Sequence, residues 1–90
     1  MAPLEQLFAL EVEFQRRLRC DAPGTHPTAA LHTSYALQCG YEPLLKRIGR
    51  VTAQDIERMS ERHALAGDVR DVLAARDSMI RLLGLWPYES

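Results

Sequence analysis

Between Val51 and Gly84 the chain surrounds an apolar stripe with helix punctuation, and this segment limits the possible folds more than any other. Thr52 has the residue type of an N-cap, Asp55 stands three residues on as a capping-box acid, and Val51 and Ile56 bracket the cap as a hydrophobic staple. Downstream, Val69, Val72, Leu73, Ile80 and Leu83 recur at helical spacing, with Ala75 and Met79 on the flank, so the segment must bury one face. Gly84 suits a left-handed C-cap and Pro87 forbids continuation. Gly67 is the ambiguous point: a helix running through it would carry a penalty of about 1 kcal/mol. Asp68 followed by Asp71 forms a second helix-start signature, which favours a break there. An unbroken rod would reach ~48 Å, more than a compact domain of this length needs, and would demand a second chain.

The remainder of the chain is also helical in pattern. Pro3 suits N1 of a first helix to about Cys20, in which Leu4, Leu7, Phe8, Leu10, Val12, Phe14 and Leu18 spread over about 200° of a helical wheel. That face is wider than one neighbour needs, so this helix should touch two others or another chain. Asp21 to Thr25 has turn chemistry, and Pro27 suits N1 of a second helix stopped by Gly40. From Ala22 to Tyr41 there is no Asp, Glu, Lys or Arg, although 26% of the chain is charged. Such a run is a poor solvated face and too polar to span a membrane. The second helix is therefore expected either at the centre of a bundle or at a partner site, with Leu31, Ser34, Tyr35 and Gln38 on one face and Ala30, Leu37 and Tyr41 beside it. A short piece around Leu44, Leu45 and Ile48 follows, and Ile56, Met59, Ser60 and His63 share one side of the helix opened by Thr52.

The expected architecture is all-α: one domain, residues 1–90, forming a small antiparallel bundle of four main helices plus one short helical turn. The helices are expected near 4–20, 27–40, 43–48, 53–66 and 68–84, with a tail over 85–90. Ninety residues support a modest core that removes roughly 60 to 65% of the unfolded surface from water. A net charge of −1 supplies no global field to attract nucleic acid or a membrane surface. Ten arginines against one lysine suggest a GC-rich, bacterial source. There is no secretory-signal pattern and no long apolar run, and two cysteines make no disulfide framework, so a cytoplasmic location is expected.

Chemistry-bearing patterns are sparse. Cys20, His26, His32 and Cys39 are six, six and seven residues apart, against the two to four usual for paired zinc ligands, so no metal or other cofactor is inferred. Phosphotransfer bundles place Lys and Gly three and four residues after their histidine; His32 is followed there by Tyr35 and Ala36. Cys39 and His32 are two turns apart, too far for a nucleophile and its base. No catalytic residues, enzyme activity or small-molecule substrate follow.

Two lines point to contacts with other macromolecules. Arg76 falls inside the apolar stripe of the last helix, as Glu11 does in the first, and a mid-stripe charge must snorkel or find a partner. The two are expected to pair, within one chain or across a symmetric interface. Beyond the last helix stop, Trp86 and Tyr88 are residue types enriched at binding hot spots. The interface candidates are thus Leu7, Phe8, Glu11, Phe14, Tyr35, Arg76, Trp86 and Tyr88. The expected function is a protein-protein interaction module of the adapter, chaperone or anti-activator kind, binding another protein or itself as a homodimer. The alternative is a DNA-binding regulatory or phage protein, because the helix pair over 53–84 resembles a helix-turn-helix. Lys46, Arg47 and Arg50 would then be the anion contact, although acidic Asp68 and Asp71 at the start of its second helix disfavour nucleic acid.

Overall fold

The computed structural model describes residues 2–22, 24, 28–65 and 67–85. Five helices follow in order: α1 (Pro3–Asp21), α2 (Ala29–Cys39), α3 (Tyr41–Arg47), α4 (Ala53–Ala64) and α5 (Val69–Leu82). The described residues contain no strand, and the architecture is all-α as the periodicities require.

Local chemistry sets most of the boundaries. At the start of α4 the Thr52 hydroxyl accepts from the Asp55 amide at 3.2 Å, and the Asp55 carboxylate accepts from the Thr52 amide at 2.9 Å, closing the capping box. After α4 the chain turns through Leu65 and bends at Gly67, and Asp68 caps α5 by accepting from the Arg70 amide at 2.9 Å. There are therefore two helices here and no rod. Gly40, at φ +73°, ends α2 and opens α3 in a single left-handed step. At the end of α5, Gly84 adopts φ +70° and the Leu85 amide donates back to the Ile80 carbonyl at 2.8 Å.

Four boundaries differ by two residues from the sequence expectation: α4 and α5 end at Ala64 and Leu82, short of 66 and 84, and two helix starts move. Thr28 is the cap of α2, its hydroxyl accepting from the Leu31 amide at 3.1 Å, and Pro27 lies outside the described residues. Helix α3 begins at Tyr41, earlier than 43, because the left-handed Gly40 redirects the chain straight into a new helix with Glu42 in its first turn.

Helix α1 is the hub. It packs most extensively against α5, then against α3, while α4 packs on α5. The wide apolar face of α1 is thus covered by helices of its own chain, chiefly α5 and α3. Its Leu7 and Phe8 meet Tyr41 of α3, Ile56 and Met59 of α4, and Val72, Ala75, Met79 and Ile80 of α5 in one core. Fully burying each of the large side chains contributes about 1.5–3 kcal/mol. Leu7, Phe8 and Glu11, expected as interface candidates, are instead sealed inside the chain, and Phe14 is nearly so. A side chain without exposed surface has nothing to offer a partner.

Helix α2 does not occupy the centre. None of its described side chains is buried, and its backbone comes close mainly to adjoining α3. Central placement is overturned because α5, with the small Ala75 at its contact face, fits closely against α1 and leaves α2 at the periphery.

Candidate interaction site around helix two

Helix α2 is seated by His32 and Tyr35, with Ala36 and Cys39 also packed against the core. Phe14 of α1 lies under both, with ring centroids 5.1 Å from His32 and 4.9 Å from Tyr35. Tyr41 of α3 meets the same two rings edge-on at 5.9 and 6.1 Å. Beneath this cluster sits Glu11, fully buried, whose Oε1 accepts from His32 Nε2. That bond holds the His32 pKa above its ordinary value, against the opposing effect of burial. Burial and the neighbouring Glu11 charge push the Tyr41 hydroxyl strongly upward. Tyr35 is raised to about 12, chiefly by burial and then by Cys39. Glu11 Oε2 and the Tyr41 hydroxyl are both buried without a hydrogen-bond partner of good geometry, so the polar seat of α2 is incompletely satisfied.

Grooves run along both sides of α2. One, of about 270 Å³, separates it from α1 and is lined by Phe14, Leu18, Leu31, Ser34, Tyr35 and Gln38, with Arg17, Asp21 and Ala22 at α1 and its end. The other, of about 280 Å³, lies towards α3 and α5 and is lined by the apolar Ala36, Leu37, Pro43, Leu45 and Leu82 together with His32, Thr33, Tyr41 and Glu42. Leu37 is 76% exposed and Leu31 37%. The face that the sequence pattern assigns to Leu31, Ser34, Tyr35 and Gln38 is therefore an open groove wall. Dispersed exposed leucines are ordinary, but a charge-free helix edged by apolar grooves is not.

The expected Glu11–Arg76 pair does not form. Glu11 is committed to His32, whereas Arg76 lies at the surface and pairs with the adjacent Asp77 at 3.1 Å. An ion pair between α1 and α5 exists at other residues: Arg19 grips Asp71 through two bonds of 2.9 and 2.8 Å, and reaches Asp68 at 3.4 Å. The charge within the buried face of α5 is Asp71, since that face runs through Val72, Ala75, Met79 and Ile80. Val69 and Leu73 instead stand half-exposed one turn apart on α5, and Leu65 is exposed in the turn that precedes it.

The other candidates divide plainly. Tyr35 lies on the α2 groove as a half-buried anchor. Lys46 and Arg47 are exposed in the last turn of α3, where they complement its dipole, and Lys46 pairs with Glu42 at 3.1 Å; Arg50 is exposed just beyond. Trp86, Tyr88 and His26 lie outside the described residues. Cys20 and Cys39 are both free thiols. Among the described residues no three His, Cys, Asp or Glu side chains gather, and no helix is long and apolar enough to cross a membrane. Sequence reasoning missed the Glu11–His32 contact, since the residues lie 21 positions apart on different helices and no local spacing links them. No family model matches this chain, and neither the curated proteins nor the solved structures hold a match to it.

Proposed function

We propose that this chain is a small helical interaction module, of the adapter or chaperone-like kind, which acts by binding and docks a protein partner, another protein or a second copy of itself, through α2. One observation carries the reading: a helix without Asp, Glu, Lys or Arg, whose His32 is turned to Glu11, and without a buried described side chain lies on the surface of a chain in which those four residue types make up 26%. Water solvates the exposed Thr33, Ser34 and Gln38 but not Leu31 and Leu37, and covering those two leucines and the grooves beside them supplies the hydrophobic driving force for association. His32 and Tyr35 hold the helix in place for a partner, on the Phe14, Tyr41 and Glu11 seat.

The helix pair α4–α5 offers less to nucleic acid. The first turn of α5 carries Asp68 and Asp71, both engaged by Arg19, and this acidic end would face phosphates unfavourably. The exposed Leu65, Val69 and Leu73 are less distinctive than α2, since Asp68, Arg70, Arg76 and Asp77 lie among them in the sequence.

The test is site-specific photo-cross-linking in cells, with the reactive side chain placed at Gln38 in the α1–α2 groove and, as control, at exposed Glu61 on α4. A discrete adduct from position 38 that is absent from position 61 is expected. No adduct from position 38, or the same adducts from both, would refute a docking surface at α2.

A further inference from the structure

We infer that the occupant of the α1–α2 groove is a second copy of this chain, related by a two-fold axis that crosses the groove. The inference rests on the docking role proposed for α2 and names its partner. The groove is lined by the apolar Leu18 and Leu31 and the almost fully buried Phe14, with the polar Ser34, Tyr35 and Gln38 along α2, and Ser34 is a small residue that lets another backbone approach. Its charges are both on α1: Arg17 and Asp21, one helical turn apart and both exposed.

This pair is self-complementary. A two-fold contact presents one surface to itself, so each charge on it meets either its own copy or another charge of the same patch. With the last turns of α1 antiparallel across the axis, Arg17 faces Asp21 of the second copy and Asp21 faces Arg17, giving two identical ion pairs around an apolar centre. The outer face of α2 obeys the same requirement, since it carries no Asp, Glu, Lys or Arg and its His32 is engaged by Glu11, whereas any charge on the axis would meet itself. Arg17 is free to take this role. It meets Glu13 through Nε at 3.0 Å, which leaves its terminal amino groups for another acceptor, and Glu13 keeps Arg16 as a second partner. Asp21 stands at the C-terminal end of α1, where its charge opposes the helix dipole and gains from a cation brought to it.

Charge reversal tests the arrangement on the purified full chain, read by light scattering through the micromolar range, with helicity checked by circular dichroism. The wild-type mass should double with concentration. Arg17→Glu sets two acids opposite each other twice, and Asp21→Arg sets two arginines opposite each other twice. Each alone should move the association midpoint about tenfold upward, since both rim pairs turn from attraction to repulsion. An equimolar mixture of the two folded variants should recover wild-type association, because the mixed dimer restores an acid-arginine contact at both positions. A monomeric wild type, single variants that associate like the wild type, or a mixture as weak as its components would each overturn the second-copy reading. A monomeric wild type that still forms an adduct with a different protein from position 38 would overturn this inference alone, whereas loss of every adduct at that position would remove the docking role itself.

Discussion

Removing the His32 imidazole should destabilise the fold by about 2–4 kcal/mol, and removing Glu11 along with it should restore much of that loss. Glu11 is fully buried and His32 supplies its hydrogen bond, so His32→Ala leaves a carboxylate in the core with neither counterion nor donor. Stripping one partner from a fully buried pair costs about 3–5 kcal/mol. The His32 side chain is 20% exposed, so water reaching the vacated space offsets part of the loss and sets the lower range. A domain of this size has a total stability of roughly 5–13 kcal/mol, so the substitution removes a large fraction of it. With a urea slope of about 1 kcal/mol per M, the unfolding midpoint followed by circular dichroism should fall by roughly 2–4 M. Glu11→Met replaces the charge with an apolar side chain of similar length, which is often neutral or stabilising at a buried ion-pair site. The double variant should therefore be more stable than His32→Ala alone, with a coupling energy above about 1.5 kcal/mol. If His32→Ala unfolds within about 0.5 kcal/mol of wild type, or if the two costs simply add, Glu11 does not depend on His32 and the account of the α2 seat is wrong.

The pH profile of stability carries the same pair. Because the folded pKa of His32 lies above its ordinary value of 6.5, its contribution is complete below pH 6.5 and declines as pH rises through the folded value; the urea midpoint should fall over that window and stay flatter in the Glu11→Met/His32→Ala variant. Glu13, Asp55 and Asp68 are shifted the other way, Glu13 to about 2, so their contributions are present above the ordinary carboxylate range and fade as pH falls through their folded values. At the α1–α5 contact, Arg19→Ala should cost about 1–3 kcal/mol in chemical denaturation, since Asp71 is buried but Arg19 is more than a third exposed; Arg19→Lys, which keeps the charge and loses the paired bonds, should fall in between. Thr52→Ala removes one side of the capping box and should lower stability by about 1 kcal/mol in the same assay. Gly40→Ala meets no atom within 4 Å, so its cost should be the backbone penalty alone, about 1–2 kcal/mol, read as a fall in thermal midpoint.

Where local chemistry decides a feature, the sequence reveals it. Thr52 and Asp55, the break at Gly67-Asp68 and the left-handed Gly40 and Gly84 all act on their immediate neighbours, and each stands where its residue type implies. The face of α4 is legible for the same reason: Ile56, Met59 and Ser60 are buried, and His63 packs on Phe8 at 4.9 Å between ring centroids. The face of α5 is less so. Weighting by large side chains favours Val69 and Leu73, but close approach of the neighbouring helices is permitted by small Ala75, which rotates the buried face towards Asp71 and leaves Leu73 outside. An α1–α5 ion pair is implied by charges inside apolar stripes, yet which residues meet depends on that rotation, and Arg19 with Asp71 takes the place of Glu11 with Arg76. The charge-free second helix signals that something covers it without saying what. In the folded chain its covering is partial, and that tertiary fact gives the candidate site its shape.

Hydrogen exchange resolved by helix, on the purified chain at low and high micromolar concentration, tests most directly whether α2 is a docking element seated on an independent frame. At low concentration α2 should be the least protected of the longer helices, because none of its described side chains is buried, while α1 and α5 exchange slowly. Its protection should then rise selectively with concentration as a second copy covers the groove. Protection of α2 equal to that of α1 at every concentration would contradict this, and would make the charge-free helix part of the permanent core.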